Sequence, residues 1–194
     1  MTDCPKTVDK IIKKIPGKTN RDGLVFLCEL ANDLTVDGWF VDLGTYEGRS
    51  AMTMLSGSLG NGLRRKIVSI DNYTEGVDAK EGKGEPPDFF TVKSRFKCRP
   101  RAHLVYGNTC DVPMLLQDEP VALVFVDADH NRAGLVPDIE AWAPLVVQGG
   151  VMAFDDYGSE RWPDVKAVVD ELMADWERID ERGSVCAFRR PALG

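Results

Sequence analysis

Six aspartates carry most of the chemistry that this sequence offers. Asp42, Asp71, Asp127, Asp129, Asp155 and Asp156 stand at or just past the ends of four apolar runs, Trp39–Leu43, Lys66–Asp71, Val121–Asp127 and Val151–Phe154. Such runs read as buried parallel strands, so the acids converge on the carboxyl ends of one sheet, where open α/β folds bind their ligands. Carboxylates crowded into one crevice repel one another unless a cation neutralises them, and hard oxygen ligands suit Mg²⁺, Ca²⁺ or Mn²⁺. Asp127, Asp155 and Asp156 come from neighbouring strand ends and are the expected ligands of one ion. An Asx-capped turn at Asp155-Asp156 is the alternative. His130 lies three residues past Asp127. Its side chain, with an ordinary pKa of about 6.5, could take a proton there or be structural at a helix start.

The first strand leads through Gly44-Thr-Tyr-Glu-Gly48 into a helix expected over Ala51–Leu59. Glycine lets the backbone turn sharply and a ligand approach closely, and the helix start presents unpaired N–H groups and a positive dipole end. A nucleotide-sized ligand would suit the turn, although Asp-x-Gly-x-x-x-Gly matches neither G-x-G-x-x-G nor a P-loop. An ordinary glycine-rich turn gives the same pattern. Asp71 follows Gly48 by 23 residues, at a strand end where a carboxylate can accept both hydroxyls of a ribose.

These residues need a frame to position them. Val8, Ile11, Ile12 and Ile15 define an amphipathic helix that Pro16-Gly17 ends, and a second helix runs from Asn20 or Arg21 to Asp33. Residues 1–35 are expected to cover the site. Residues 72–88 are polar, glycine-rich and without period, which in a compact domain reads as a lid loop. A helix from Phe89, a strand over Ala102–Tyr106 and the turn Gly107-Asn-Thr-Cys110 follow. Helices over about 132–145 and 164–174 flank the fifth strand. Residues 176–180 and 184–189 then face each other as a hairpin. The alternation predicts one α/β domain over 1–194, a doubly wound, mostly parallel seven-stranded sheet with a C-terminal antiparallel hairpin.

The 43% hydrophobic and 28% charged residues are ordinary for a globular domain, and the net charge of −7 weighs against a nucleic-acid partner. A small-molecule partner is expected instead. The five cysteines are odd in number and never C-x-x-C, which reads as reduced thiols. Without an apolar run of about 20 residues or a signal-peptide core, a cytoplasmic protein with no membrane partner is expected.

Taken in order, the motifs resemble class I S-adenosylmethionine-dependent methyltransferases. Within these they resemble the metal-dependent catechol and caffeoyl-CoA O-methyltransferase type and its bacterial small-molecule relatives. Val41-Asp-Leu-Gly-Thr-Tyr-Glu-Gly-Arg-Ser50 is similar to that family's Glu-Leu-Gly-x-Tyr-x-Gly-Tyr-Ser segment, and Ser69-Ile-Asp71 to its ribose-binding strand end. Val105–Asp111 resembles its adenine-side turn, Phe125-Val-Asp-Ala-Asp-His130 its Phe-x-Asp-Ala-Asp-Lys motif, and Ala153-Phe-Asp-Asp-Tyr157 its second metal segment.

The resemblance implies a Rossmann-like fold in which Gly44, Tyr46, Gly48 and Ser50 line the methionine end, Asp71 holds the ribose, and Thr109 and Cys110 border the adenine. Asp42, Asn72, Asn108 and Asp127 complete the expected cofactor set. Asp127, Asp155 and Asp156 would hold Mg²⁺ or another divalent cation, with His130 catalytic. His130 stands where catechol-type enzymes have lysine, Asp42 replaces glutamate and Arg49 replaces tyrosine. The implied activity is O-methylation of a small hydroxylated molecule, with a homodimer kept open. Two alternatives stand beside it. Asp127-Ala-Asp129 also reads as the D-x-D motif of a nucleotide-sugar glycosyltransferase, and a methyltransferase fold can bind a ligand without turnover.

Overall fold

The computed structural model of the chain describes residues 2–60, 62–63, 65–74, 86–116 and 118–192. Helix α1 (Cys4–Ile12) begins where the Asp3 carboxylate accepts the Lys6 amide, a cap worth about 1 kcal/mol. It stops short of the predicted end, because the residue before Pro16 is disfavoured in helical conformation. Ile15 is nonetheless buried, so the apolar stripe outlasts the helix. Helix α2 (Arg21–Asp33) is capped by Asn20 and buries Leu24, Leu27 and Ala31 on one face. Both helices pack against α3 (Arg49–Ser58).

The seven-stranded sheet comprises β1 (Trp39–Leu43), β2 (Ile67–Asp71), β3 (Ala102–Tyr106), β4 (Val121–Val126), β5 (Val146–Phe154), β6 (Glu177–Arg182) and β7 (Val185–Arg189), in the order β3-β2-β1-β4-β5-β7-β6. β1 to β5 pair in parallel, and β7 runs antiparallel to both β5 and β6. Strand order therefore reverses between β1 and β4, and a crevice opens beyond their carboxyl ends. Alternation along β1 sends Phe40 into one core and Val41 and Leu43 into the other. Helices α1 to α3 and α4 (Phe89–Phe96) cover the first, which holds Phe26, Leu27, Met54 and Phe125. Helices α5 (Arg132–Trp142) and α6 (Pro163–Leu172) cover the second, which holds Trp142, Met152 and Phe154. β4 is buried along its whole length, as its unbroken Val-Ala-Leu-Val-Phe-Val sequence requires.

Further boundaries differ from expectation. α5 ends at Trp142, where Pro144 belongs to a short 3₁₀ turn (Ala143–Leu145) rather than to the helix. β5 starts at Val146, five residues early, because Gly149 at φ 76° lets the chain bend and then stay in the sheet. β6 carries Glu177, Arg178, Asp180, Glu181 and Arg182 on the outer edge, with only Ile179 partly covered. Arg189 of β7 pairs with Glu177 at 3.2 Å, and Arg182 with Asp180 at 2.9 Å. Of the expected lid, residues 75–85 lie outside the described residues. All five cysteines are free, Cys4, Cys28 and Cys186 inside and Cys98 and Cys110 at the surface. Among the described residues no helix is long and apolar enough to cross a membrane.

Candidate functional site

A cleft of 770 Å³ opens at the carboxyl ends of β1, β2 and β4, a volume suited to a cofactor with a small second ligand. At one end, the chain leaves β1 through Gly44 at φ 89° and Tyr46 at φ 46°. A Cβ on Gly44 would overlap the Asp127 carbonyl oxygen and stand 2.6 Å from its carbon. Glycine is needed there so that the ends of β1 and β4 can touch, a different reason from the ligand approach expected. Asp71 at the end of β2 accepts the Tyr46 amide on Oδ2 and the Tyr73 amide on Oδ1, each at 2.8 Å. Its carboxyl is raised by burial against these amide bonds, and it faces the cleft with Asn72.

Helix α3 has Gly48 at its N-cap and no side-chain cap, as is also true of α6, whereas α1, α2, α4 and α5 each have one. Its first amides are therefore donors for an anionic ligand group, and Arg49 and Ser50 of its first turn line the cleft. Across from them, Asn108, Thr109 and Cys110 form the opposite wall. Thr109 is fixed twice: its hydroxyl bonds the Asp138 carboxylate, and its carbonyl accepts Trp142 Nε1 at 2.9 Å.

Two expected cofactor residues lie elsewhere. Asp42 is fully buried, its Oδ2 accepts the Ser69 hydroxyl, and burial lifts its carboxyl to about 7. It points into the protein because it falls on the inner register of β1, opposite Ser69. Gly48 does not line the cleft either, since a Cβ there would meet Phe96 at 3.0 Å. Gly44, Tyr46, Ser50, Asp71, Asn72, Asn108, Thr109, Cys110 and Asp127 do line it.

The other end is acidic. Asp127, His130 and Asp156 bring a carboxylate oxygen, an imidazole nitrogen and a second carboxylate oxygen within 4.8 Å of one another. His130 Nε2 lies 3.0 Å from Asp156 Oδ2 and 3.4 Å from Asp127 Oδ1. Burial and then the nearby Asp155 charge push the Asp127 carboxyl up to about 8. Burial works against the His130 imidazolium, but the Asp127 and Asp156 carboxylates more than offset it and raise its pKa to about 10. Donor atoms of this kind at this spacing fit one divalent ion.

Asp155 is the correction to the expected ligand set. Its side chain is buried and receives the Ser184 hydroxyl of the β6–β7 turn, and it lies behind Asp127, outside the cleft lining and outside the triad. Asp156 turns outward instead because its backbone is at φ 52°, a left-handed conformation that aspartate tolerates better than most residues. Asp129 lines the cleft, but its Oδ1 accepts the Asn131 amide at 3.0 Å and it stands outside the triad. The D-x-D pair therefore does not act as one ligand unit.

Three neighbours escaped the sequence reading. Trp162 stacks on His130, with ring centroids 4.9 Å apart and planes 22° apart, which holds the imidazole in place. Thr19 donates to Asp127 Oδ2 at 3.3 Å across 108 residues of chain. Asp138 backs the Thr109 turn. A mid-helix acid, a tryptophan in a turn and a threonine after Pro-Gly-Lys have no spacing that marks them; only the Pro16-Gly17 break hinted that the chain there leaves its helix to cross something.

Comparison with known proteins agrees with this layout. The family described as "Methyltransferase domain" matches residues 41–157, which include the β1 turn, Asp71, Asp127, His130 and Asp156. The uncharacterized protein R132 of Acanthamoeba polyphaga mimivirus is 27% identical over 164 residues, covering 82% of this chain and 70% of its own. Among solved structures, the O-methyltransferase NovP superposes with a TM-score of 0.73 at 18% identity, over 87% of this chain and 79% of that one. CalS11, described as a TDP-rhamnose 3′-O-methyltransferase of calicheamicin biosynthesis, gives 0.62 at 20% identity, over 86% and 76%.

Proposed function

The chain belongs to the methyltransferase-domain family, and from that premise we propose that it transfers a methyl group from S-adenosylmethionine to a hydroxyl of a small molecule, with a divalent ion, Mg²⁺ in the cell, at its acidic end. The observation that carries this reading is the continuity of one cleft from the uncapped start of α3 and Asp71 to the Asp127–His130–Asp156 triad. The methionine carboxylate would meet the amides of α3, the ribose Asp71, and the adenine the Asn108–Cys110 wall. The sulfonium methyl would then point toward the acidic end. That the structural relatives NovP and CalS11 are O-methyltransferases supports a hydroxyl as acceptor. Free cysteines and the net charge of −7 support a cytoplasmic enzyme with no nucleic-acid partner.

Asp127 and Asp156 would hold the ion, which when bound supplies the positive charge that acidifies the acceptor hydroxyl. His130 has a different task. Its raised pKa comes from the two carboxylates, so a cation held by them would offset their charge, lower the imidazole pKa and leave Nε2 able to accept a proton. Trp162 stacks on His130 and so keeps that nitrogen beside the two carboxylates, where an acceptor hydroxyl would enter. The acceptor oxygen, its proton taken by His130 Nε2, would attack the methyl carbon in line as the carbon–sulfur bond breaks and S-adenosylhomocysteine leaves.

The test is transfer of labelled methyl from S-adenosylmethionine to a panel of catechols and sugars, before and after EDTA and after Mg²⁺ is restored. Transfer should stop with EDTA and return with Mg²⁺. His130→Gln should keep Mg²⁺ uptake while lowering kcat by about 10²–10⁴-fold. Undiminished transfer in EDTA would remove the metal from the mechanism, and absence of S-adenosylhomocysteine binding by calorimetry would remove the function.

A further inference from the structure

We propose that Thr19 is a positioning residue that fixes Asp127 for metal binding and so makes the N-terminal link between α1 and α2 part of the active site. The inference rests on the reading of Asp127 and Asp156 as metal ligands. The two oxygens of Asp127 have different surroundings. Oδ2 receives the Thr19 hydroxyl at 3.3 Å, while Oδ1 faces His130 Nε2 at 3.4 Å and so lies on the side of the triad. A carboxylate left with both oxygens free could rotate about its terminal torsion, where barriers are low. Donation from Thr19 removes that freedom and leaves Oδ1 as the ligand atom.

The link that brings Thr19 there is itself tied down. Arg49, in the first turn of α3, donates from Nε to the Ile15 carbonyl at 2.7 Å and from Nη1 to the Gly17 carbonyl at 2.9 Å. Its side chain lies so close that a Cβ on Gly17 would stand 2.8 Å from Nε. Thr19 is only 7% exposed, so water does not compete for its hydroxyl. Arginine at position 49 thus spans from the cofactor turn to the link, and threonine at 19 spans from the link to the metal ligand. Groups that orient a ligand in this way change metal affinity by about 10–100-fold when removed.

The experiment compares Thr19→Val, which keeps the shape and loses the hydroxyl, with Thr19→Ser, which keeps the hydroxyl. Calorimetric titration with Mg²⁺ and, separately, with S-adenosylhomocysteine is the readout. Thr19→Val should bind Mg²⁺ about 10–100-fold more weakly, and Thr19→Ser should stay within about threefold of the wild type. Both should bind S-adenosylhomocysteine as the wild type does. Equal Mg²⁺ affinity in Thr19→Val and wild type overturns the inference alone. Parallel loss of both ligands in Thr19→Val overturns it too, since Thr19 would then shape the link rather than orient Asp127. A wild-type chain that takes up S-adenosylhomocysteine but no divalent ion overturns the inference together with the metal reading beneath it.

Discussion

Gly44→Ala is the substitution whose cost the structure specifies best. The residue sits at φ 89°, where an L side chain costs about 1–2 kcal/mol. The new methyl would overlap the Asp127 carbonyl oxygen and lie 2.6 Å from the Asp127 carbonyl carbon and 2.9 Å from Ala128 Cα. All three are backbone atoms, so no rotamer relieves the overlap and the ends of β1 and β4 must separate. Separation strains the bond from the Asp127 amide to the Leu43 carbonyl, now 2.9 Å, worth about 1 kcal/mol. Overpacking between fixed elements adds about 1–3 kcal/mol, and a stiffer unfolded chain returns about 0.4–1 kcal/mol. The net loss is about 2–5.5 kcal/mol, which at a urea slope of about 2 kcal/mol per M lowers the midpoint by about 1–3 M. Gly62→Ala is the control. Gly62 has a similar φ of 76°, but among the described residues nothing lies within 4 Å of its would-be Cβ, so it should change stability by no more than about 1.5 kcal/mol. Urea unfolding followed by tryptophan fluorescence measures both. A Gly44→Ala midpoint within about 0.5 M of Gly62→Ala would refute the claim that this glycine exists to let two strands meet.

Two further outcomes can be checked. Asp127 and His130 both have folded pKa values above their unfolded ones, about 8 and about 10, so each stabilises the metal-free fold most below its unfolded pKa and loses that contribution as pH rises through the folded value. The metal-free protein should lose thermal stability between about pH 4 and 10, Mg²⁺ should remove most of that loss, and Mg²⁺ affinity should fall as pH drops below 8; a flat calorimetric affinity from pH 6 to 9 would contradict this. Asp71→Ala should weaken S-adenosylhomocysteine binding at least tenfold and also cost about 2–4 kcal/mol, because the Tyr46 and Tyr73 amides both lose their acceptor; a variant with wild-type urea midpoint would show that those bonds do not hold the turn.

The sheet was legible because its signals are local. Val121–Val126 is apolar at every position, as a strand covered on both faces must be, and the helix–strand alternation allows few topologies. The wall of the cleft was legible for a related reason: strand ends in a parallel sheet bring Asp71, the β1 turn and Asn108–Cys110 to one edge whatever the side chains do. Orientation at those ends was not legible. Asp155 and Asp156 are identical neighbours, and only a φ of 52° at the second sends them opposite ways, one to Ser184 and one to the cleft. Asp42 misled because an acid beside a glycine turn reads as a ligand, whereas strand register turns it inward to Ser69. Thr19 and Trp162 reach the triad only through tertiary packing, 108 residues away in one case and across a turn in the other.

The two rims of the sheet are not equivalent. Along β6 a row of unpaired peptide groups is screened by Glu177, Arg178, Asp180, Glu181 and Arg182. Any foreign chain adding itself there would have to strip water from alternating charges that already satisfy one another, and would gain little apolar burial in exchange. That rim therefore resists templating, and a concentrated solution of the protein is protected from ladder-like growth on the side where the hairpin would otherwise invite it.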